Sequence, residues 1–294
     1  MEINGYTRVC GLIGNPVEHT MSPAIHNTLA GEQGINLAYV PFHVPAGQVE
    51  EAVRGAFALN LLGVNVTVPY KSEVIPFLED IDPLAERIGA VNTLVRGERG
   101  FKGYNTDMPG LYRAMREDGV ALENEKVLIL GAGGAARAVA MLAAEKGAEE
   151  IILLNRTLEK AKKLAADVND AAGREIAGAM ALDQYHELPS KGRYLAVQTT
   201  NVGMFPKTEE ALIEDKAFYQ RTHTGYDLIF NPARTRFMSL AEESGGRAIN
   251  GLKMLLYQGI IAYELWTERQ VDGELARKAY KEMKRAMGIS DGSL

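Results

Sequence analysis

At 294 residues the chain exceeds the usual size of one domain, so two domains with separate cores are expected. Its composition, 46% hydrophobic and 24% charged, is that of an ordinary soluble globular protein. The formal net charge of -6, with both signs scattered and no basic run, excludes the clustered Lys and Arg that nucleic-acid binding requires.

In chain order, residues 9–14 read as a short buried strand. Ser22-Pro23 follows as the N-cap and first-turn proline of a helix toward Gln33. Residues 37–44 form the next strand, and after Pro45 the apolar Val49, Ala52, Val53, Ala56 and Phe57 fall at helical spacing. A strand over 63–68 precedes a helix after Lys71 and another after Pro83, then strands at 90–96 and 101–104. This alternation predicts a mostly parallel sheet covered by helices.

From Glu125 the pattern restarts: strand 126–130, tight turn 131–134, small-residue helix 135–146, strand 151–154, helix 157–169, then strands at 194–197 and 226–230. That is a second doubly wound unit. Two helical stretches, 251–269 and 273–287, close the chain and are expected to return to the first domain. The fold class is therefore α/β in two domains. Residues 1–107 plus 250–294 make an N-terminal α/β domain for the substrate, completed by C-terminal helices, and 108–249 a Rossmann-like domain. No apolar segment reaches the roughly 18 residues a spanning helix needs, and the chain start has no signal-peptide core. Cys10 stands alone and the five histidines lack metal-ligand spacing; His19 and His26 read as structural or surface residues. A cytoplasmic protein without membrane, metal or nucleic-acid partners is expected, a monomer or homodimer acting on a small molecule.

The most specific motif is Gly131-Ala132-Gly133-Gly134-Ala135-Ala136, which follows a strand and opens a helix. Gly131 permits the turn, Gly133 lets the backbone approach a pyrophosphate, and Ala136 takes the third small position. The exposed N–H groups of the helix start hold phosphates. A glycine-rich turn without a ligand is the alternative. The second strand runs into Asn155-Arg156-Thr157, with Lys160 one turn on. An NAD site usually carries an acid there; Arg156 instead offers a charged fork to a 2′-phosphate, and Thr157 caps the helix. Cations at a helix start oppose its dipole unless an anion binds, so NADP(H) is the expected cofactor rather than a merely solvated helix end.

In the first half, three groups of residues put hydroxyl and amide side chains at strand ends: residues 14–23, residues 65–71, and 89–93 with 103–107. Ligands of open α/β sheets bind at such ends, and Ser, Thr and Asn suit a polyhydroxylated ring. Lys71 is the amine and Asp107 the carboxylate placed there for proton transfer; a surface lysine and a helix N-cap are the plain alternatives.

These stretches, with the glycine turn and Asn155-Arg156-Thr157, resemble the shikimate dehydrogenase family over essentially the whole chain. The resemblance implies reversible NADP-dependent interconversion of 3-dehydroshikimate and shikimate, in the pathway to chorismate and the aromatic amino acids, by two domains facing across a cleft. It implies Lys71 and Asp107 as the catalytic pair. Thr20 and Ser22 match a family pair of serines that bind the substrate carboxylate, the first replaced here by Thr. Asn65, Thr67, Asn92 and Gln258 match residues contacting ring hydroxyls, and Tyr226 a tyrosine near the active site. Residues 198–204, with Thr200, resemble the loop beneath the nicotinamide. Gly251 and Met254 join Gly131, Ala132, Gly133, Gly134, Ala135, Asn155, Arg156, Thr157 and Lys160 on the cofactor side. Two alternatives stand beside this reading: a quinate/shikimate dehydrogenase with a broadened pocket at Thr20, and a non-catalytic NADP-sensing protein.

Overall fold

The computed structural model describes residues 2–189 and 193–289. It divides into two compact units, Met1–Gly110 with Leu256–Leu294, and Leu111–Leu255. Met1 and residues 290–294, the extremes of the expected first domain, lie outside the described residues.

The first unit is built on β1 (Arg8–Gly14), β2 (Leu37–His43), β3 (Gly63–Val66), β4 (Asp80–Ile81), β5 (Thr93–Arg96) and β6 (Phe101–Tyr104), in the order β2-β1-β3-β5-β6-β4. Strand β1 pairs parallel with β2 and β3, and β4 with β6, whereas β5 runs antiparallel to β3 and β6. The sheet is thus mostly parallel, as expected, with β5 as its one reversed strand among the described residues. A tight turn, closed by Gly97 N–H donating to the Gly100 carbonyl, sends the chain straight back and leaves no length for a crossover helix. Helices α1 (Ser22–Glu32), α2 (Val49–Ala58) and α3 (Pro83–Ile88) join the strands. Val49, Val53 and Ala56 of α2 pack on Val64, Val66, Leu94 and Phe101. The helix expected after Lys71 shrinks to a single 3₁₀ turn at Ile75–Phe77, because Pro76 lacks the N–H that would bond back to the Ser72 carbonyl in a longer helix.

Helix α4 (Asp107–Glu117) carries the chain into the second unit. There β7 (Lys126–Leu130), α5 (Gly134–Glu145), β8 (Glu150–Asn155), α6 (Leu158–Ala172), β9 (Ala177–Ala181), β10 (Tyr194–Gln198), α7 (Lys216–Tyr219), β11 (Thr222–Asp227), α8 (Arg236–Glu243) and β12 (Arg247–Ile249) follow. All ladders of this sheet are parallel, in the order β12-β11-β10-β7-β8-β9. The strand expected over 226–230 is displaced toward the N-terminus. It ends where the Asp227 carboxylate accepts the N–H of Ile229 at 3.0 Å and turns the chain. Strand order reverses between β7 and β10, so the carboxyl ends of β7, β8 and β10 frame the position where ligands bind in such sheets. Helices α9 (Leu252–Thr267) and α10 (Gly273–Ala286) end the chain. In the first unit Trp266 of α9 is buried and donates Nε1–H to the Leu94 carbonyl at 2.9 Å, tying that helix to β5.

Candidate active site

In the first unit Lys71 Nζ donates to Asp107 Oδ2 at 2.7 Å, with the two side chains 32% and 20% exposed. Lys71 is fixed through its backbone, whose carbonyl accepts the N–H of Val91 at 2.7 Å. Asp107 does not cap α4: the Asn105 side-chain oxygen Oδ1 accepts the N–H groups of Asp107 and Met108 at 3.1 and 3.3 Å. Relieved of capping, the Asp107 carboxylate gives Oδ2 to Lys71 and Oδ1 to Asn92 Nδ2 at 2.9 Å.

Behind this pair lies a buried polar network. Asn92 Oδ1 accepts the Thr106 N–H at 2.8 Å, and Asn92 Nδ2 also reaches Thr106 Oγ1 at 3.0 Å. Thr93 Oγ1 lies 3.1 Å from Asn92 Oδ1 and 3.2 Å from Thr106 Oγ1. Asn65 donates to Thr93 Oγ1 at 3.0 Å and to the Asn92 carbonyl at 3.1 Å, and accepts from the Tyr39 hydroxyl at 2.8 Å. Asn65, Asn92, Thr93 and Thr106 are all buried, where unpaired polar groups are costly, so the closure of the network holds the site in one arrangement. The Tyr39 ring stacks on His26 with centroids 4.2 Å apart. Burial pushes the tyrosine hydroxyl well above its usual pKa and the imidazole down to about 3, so both are neutral supports.

Ser22 is buried but caps nothing; the α1 cap position is Met21, and Thr20 Oγ1 accepts the Ser22 N–H at 3.2 Å. Thr67, half-buried, follows β3, with its backbone N–H on the Ile13 carbonyl. Gln258 is half-buried on α9, beside the start of α4: a Cβ on Gly110 would come within 2.6 Å of the Gln258 nitrogen, so only glycine lets the helices meet there. Tyr226 is buried in β11, with its hydroxyl donating to Asp118 Oδ2 at 3.3 Å.

In the second unit Gly131 adopts φ +119°, and a Cβ there would lie 2.7 Å from Thr199 Oγ1. A Cβ on Gly133 or Gly134 would meet nothing within 4 Å, and residues 133–135 are exposed. No side chain caps α5, so its first N–H groups point into that space. A pyrophosphate fits this cradle: room where a side chain would stand, and donors facing it. Asn155, at the end of β8, donates to the Thr157 carbonyl at 2.9 Å. Thr157 occupies the α6 cap position without a side-chain cap bond, since that Asn155 contact already braces the turn. Arg156, Thr157 and Lys160 are exposed, and Arg156 lines a groove of about 430 Å³ with Leu182, Asp183, Tyr185, Leu212, Ile213 and Glu214. After β10, Gln198 accepts from the Thr200 N–H and hydroxyl, both at 3.0 Å, and donates to the Val202 carbonyl at 2.9 Å, bracing that loop. Gly251 is buried against the Leu228 carbonyl and Met254 is half-buried in the first turn of α9. Among the described residues no group of three His, Cys, Asp or Glu could hold a metal ion, and no helix is long and apolar enough to cross a membrane.

Sequence reasoning passed over Tyr39, Thr93, Thr106 and the capping role of Asn105. Tyr39 sits mid-strand, where an aromatic reads as core; the others lie in stretches already marked as polar, and the crossing of strands that joins them has no sequence signature.

Fold and sites together define an NADP-dependent α/β oxidoreductase acting on a CH–OH group. Three family models match the chain: the shikimate dehydrogenase substrate binding domain over residues 12–94, shikimate / quinate 5-dehydrogenase over 114–187, and the shikimate 5′-dehydrogenase C-terminal domain over 251–279. The NADP(+) shikimate dehydrogenase of Carboxydothermus hydrogenoformans is 41% identical over 99% of this chain and 100% of its own. A shikimate dehydrogenase solved with NADP+ superposes with a TM-score of 0.86 at 36% identity, covering 96% of this chain and 97% of its own. The shikimate 5-dehydrogenase of Listeria monocytogenes, solved with shikimate and NAD, gives 0.86 at 31% identity over 98% of each chain. The chain belongs to the shikimate dehydrogenase family.

Proposed function

We propose that this protein is a cytoplasmic enzyme, monomer or homodimer, that reversibly reduces 3-dehydroshikimate to shikimate with NADPH, a step toward chorismate and the aromatic amino acids. Residues 1–107 with 250–294 take the substrate, and 108–249 take the cofactor. The observation that carries this reading is the Lys71–Asp107 contact of 2.7 Å, backed by Asn92. It also speaks against a non-catalytic NADP sensor, which has no use for a braced amine–carboxylate pair.

The glycine turn at residues 131–135 holds the pyrophosphate, Arg156, Thr157 and Lys160 hold the 2′-phosphate, and Asn155, Thr200, Gly251 and Met254 complete the cofactor side. NADPH, when bound, supplies the hydride. Lys71 donates a proton from Nζ to the substrate carbonyl oxygen as hydride reaches the carbon; in oxidation the neutral amine takes the hydroxyl proton instead. Asp107 accepts hydrogen bonds at both carboxylate oxygens and holds Nζ in place, so Lys71 is the residue that moves the proton. Asn65, Asn92, Thr67 and Gln258 receive ring hydroxyls. Thr20 and Ser22 hold the carboxylate; Thr20 Oγ1 accepts the Ser22 N–H and so keeps its own proton to donate.

The test follows nicotinamide absorbance with shikimate or quinate as donor and NADP+ or NAD+ as acceptor. Preference for shikimate with NADP+ is expected. Equal or better turnover of quinate makes Thr20 the mark of a broadened pocket, and no turnover refutes the reading.

A further inference from the structure

The hydrogen bonds between Tyr39 and Asp107 have a direction that backbone groups decide. A peptide N–H can only donate, so the Asn92 atom that meets the Thr106 N–H at 2.8 Å is Oδ1, and Nδ2 faces Asp107. A peptide carbonyl can only accept, so the Asn65 atom on the Asn92 carbonyl is Nδ2, and Oδ1 takes the Tyr39 proton. The second amide hydrogen of Asn65 goes to Thr93 Oγ1. The Thr93 hydroxyl then sends its single proton onward, to Asn92 Oδ1 at 3.1 Å or Thr106 Oγ1 at 3.2 Å. Asn92 spends both its amide hydrogens on Thr106 Oγ1 and Asp107 Oδ1. Tyr39, Asn65, Thr93 and Asn92 thus have no proton left for a ligand. Lys71, with three N–H groups and one side-chain contact to Asp107, has protons to give.

We propose that Thr93, fully buried at the start of β5, is a positioning residue that fixes this polarity. Asn92 Oδ1 already takes the Thr106 N–H and a threonine hydroxyl, so Thr93 holds Asn65 Oδ1 as the acceptor for a ring hydroxyl; the substrate carbonyl binds at Lys71 and the neighbouring hydroxyl at this amide wall. The carbon that is reduced is thereby chosen by hydrogen-bond polarity: a carbonyl turned toward the wall meets lone pairs and leaves both sides unpaired. The proposal rests on the shikimate dehydrogenase reading and deepens it.

Thr93→Val keeps the branched shape and removes the hydroxyl; Thr93→Ser restores it. Without that acceptor the Asn65 amide hydrogen loses its partner and the wall its fixed polarity. The KM for shikimate should rise about tenfold in Thr93→Val with NADPH affinity unchanged, while Thr93→Ser stays within about twofold of the parent. An unchanged KM in folded Thr93→Val overturns the proposal, whatever happens to Tm. A second measurement needs no variant. In the parent enzyme, binding of shikimate is compared with analogues carrying hydrogen or fluorine in place of the hydroxyl beside the oxidised carbon. Fluorine accepts but cannot donate, so an acceptor wall gains nothing from it, and both analogues should weaken alike, within about twofold. A fluoro analogue binding clearly better than the deoxy one overturns the proposal. Failure of the underlying reading is distinguishable, because the parent enzyme then turns over no shikimate at all.

Discussion

The two units prepare for their ligands with different parts of the chain. In the first, side chains do the work: Lys71, Asp107, Asn92, Thr106, Thr93, Asn65 and Tyr39 are joined by hydrogen bonds, most of them buried. In the second, the backbone does it: a turn at residues 131–135 offers N–H groups to a space that side chains leave empty. The contrast separates two kinds of preorganisation. A side-chain site is wired from within and breaks when one partner is removed. A backbone site is defined by what is missing and breaks when something is added.

Removing the Lys71 amine should therefore have the largest effect. Lys71→Ala is expected to lower kcat by roughly 10²–10⁴-fold, the usual contribution of a general acid–base group, with the NADPH dissociation constant nearly unchanged. A loss under about threefold would rule out the assigned role. Adding atoms to the turn comes next. Gly133 has φ -91° and ψ -167°, open to any residue, and a Cβ there meets no protein atom. Gly133→Val should keep the parent Tm while NADPH binding, read by fluorescence titration, weakens about tenfold or more through lost phosphate contact. Unaltered affinity would remove the turn from the cofactor site. Arg156→Asp should cut the preference for NADP over NAD about tenfold, since a bidentate charge-assisted contact becomes a repulsion. Equal NADP+ affinity in parent and variant would mean the 2′-phosphate sits elsewhere.

The last prediction concerns stability and leaves activity aside. Asp227 is fully buried in β11, accepting from the Thr235 hydroxyl at 2.6 Å, and burial pushes its carboxyl up to about 7. A carboxyl whose pKa is raised on folding binds more protons in the native state than in the unfolded one. Its contribution to stability is therefore present in acid and declines as pH climbs from about 4 to about 7. Asp227→Asn has no charge to bury, so it should gain on the parent across that window by an amount on the order of a few kcal/mol. Denaturant melts at pH 5 and pH 8 check this; a difference between the two proteins that is the same at both pH values contradicts it.

Much of this was legible in the sequence, and the limits have physical causes. The glycine turn and the Asn155-Arg156-Thr157 strand end are local: strand, turn and helix adjoin in the chain, and spacing alone carries the chemistry. The second sheet is parallel with continuous apolar runs, so its central strands β7, β8 and β10 were readable, whereas the edge strands β9 and β12 are small-residue or three residues long and carry no period. In the first unit the polar stretches around Asn92 and Asp107 were visible, yet their wiring was not. Whether Asn105 or Asp107 caps α4 depends on a rotamer, and Thr93 meets Asn65 only because β3 and β5 pair antiparallel.

The most direct test of the division of labour is a double-mutant cycle between Lys71→Ala and Gly133→Val, scored as kcat/KM for NADPH. The two residues share no partner among the described hydrogen bonds, so their costs should add, the double variant matching the product of the single fold-losses within about twofold. A double variant far from that product would mean that the side-chain site and the backbone turn do not act separately, contradicting the assignment of proton transfer to one and cofactor holding to the other.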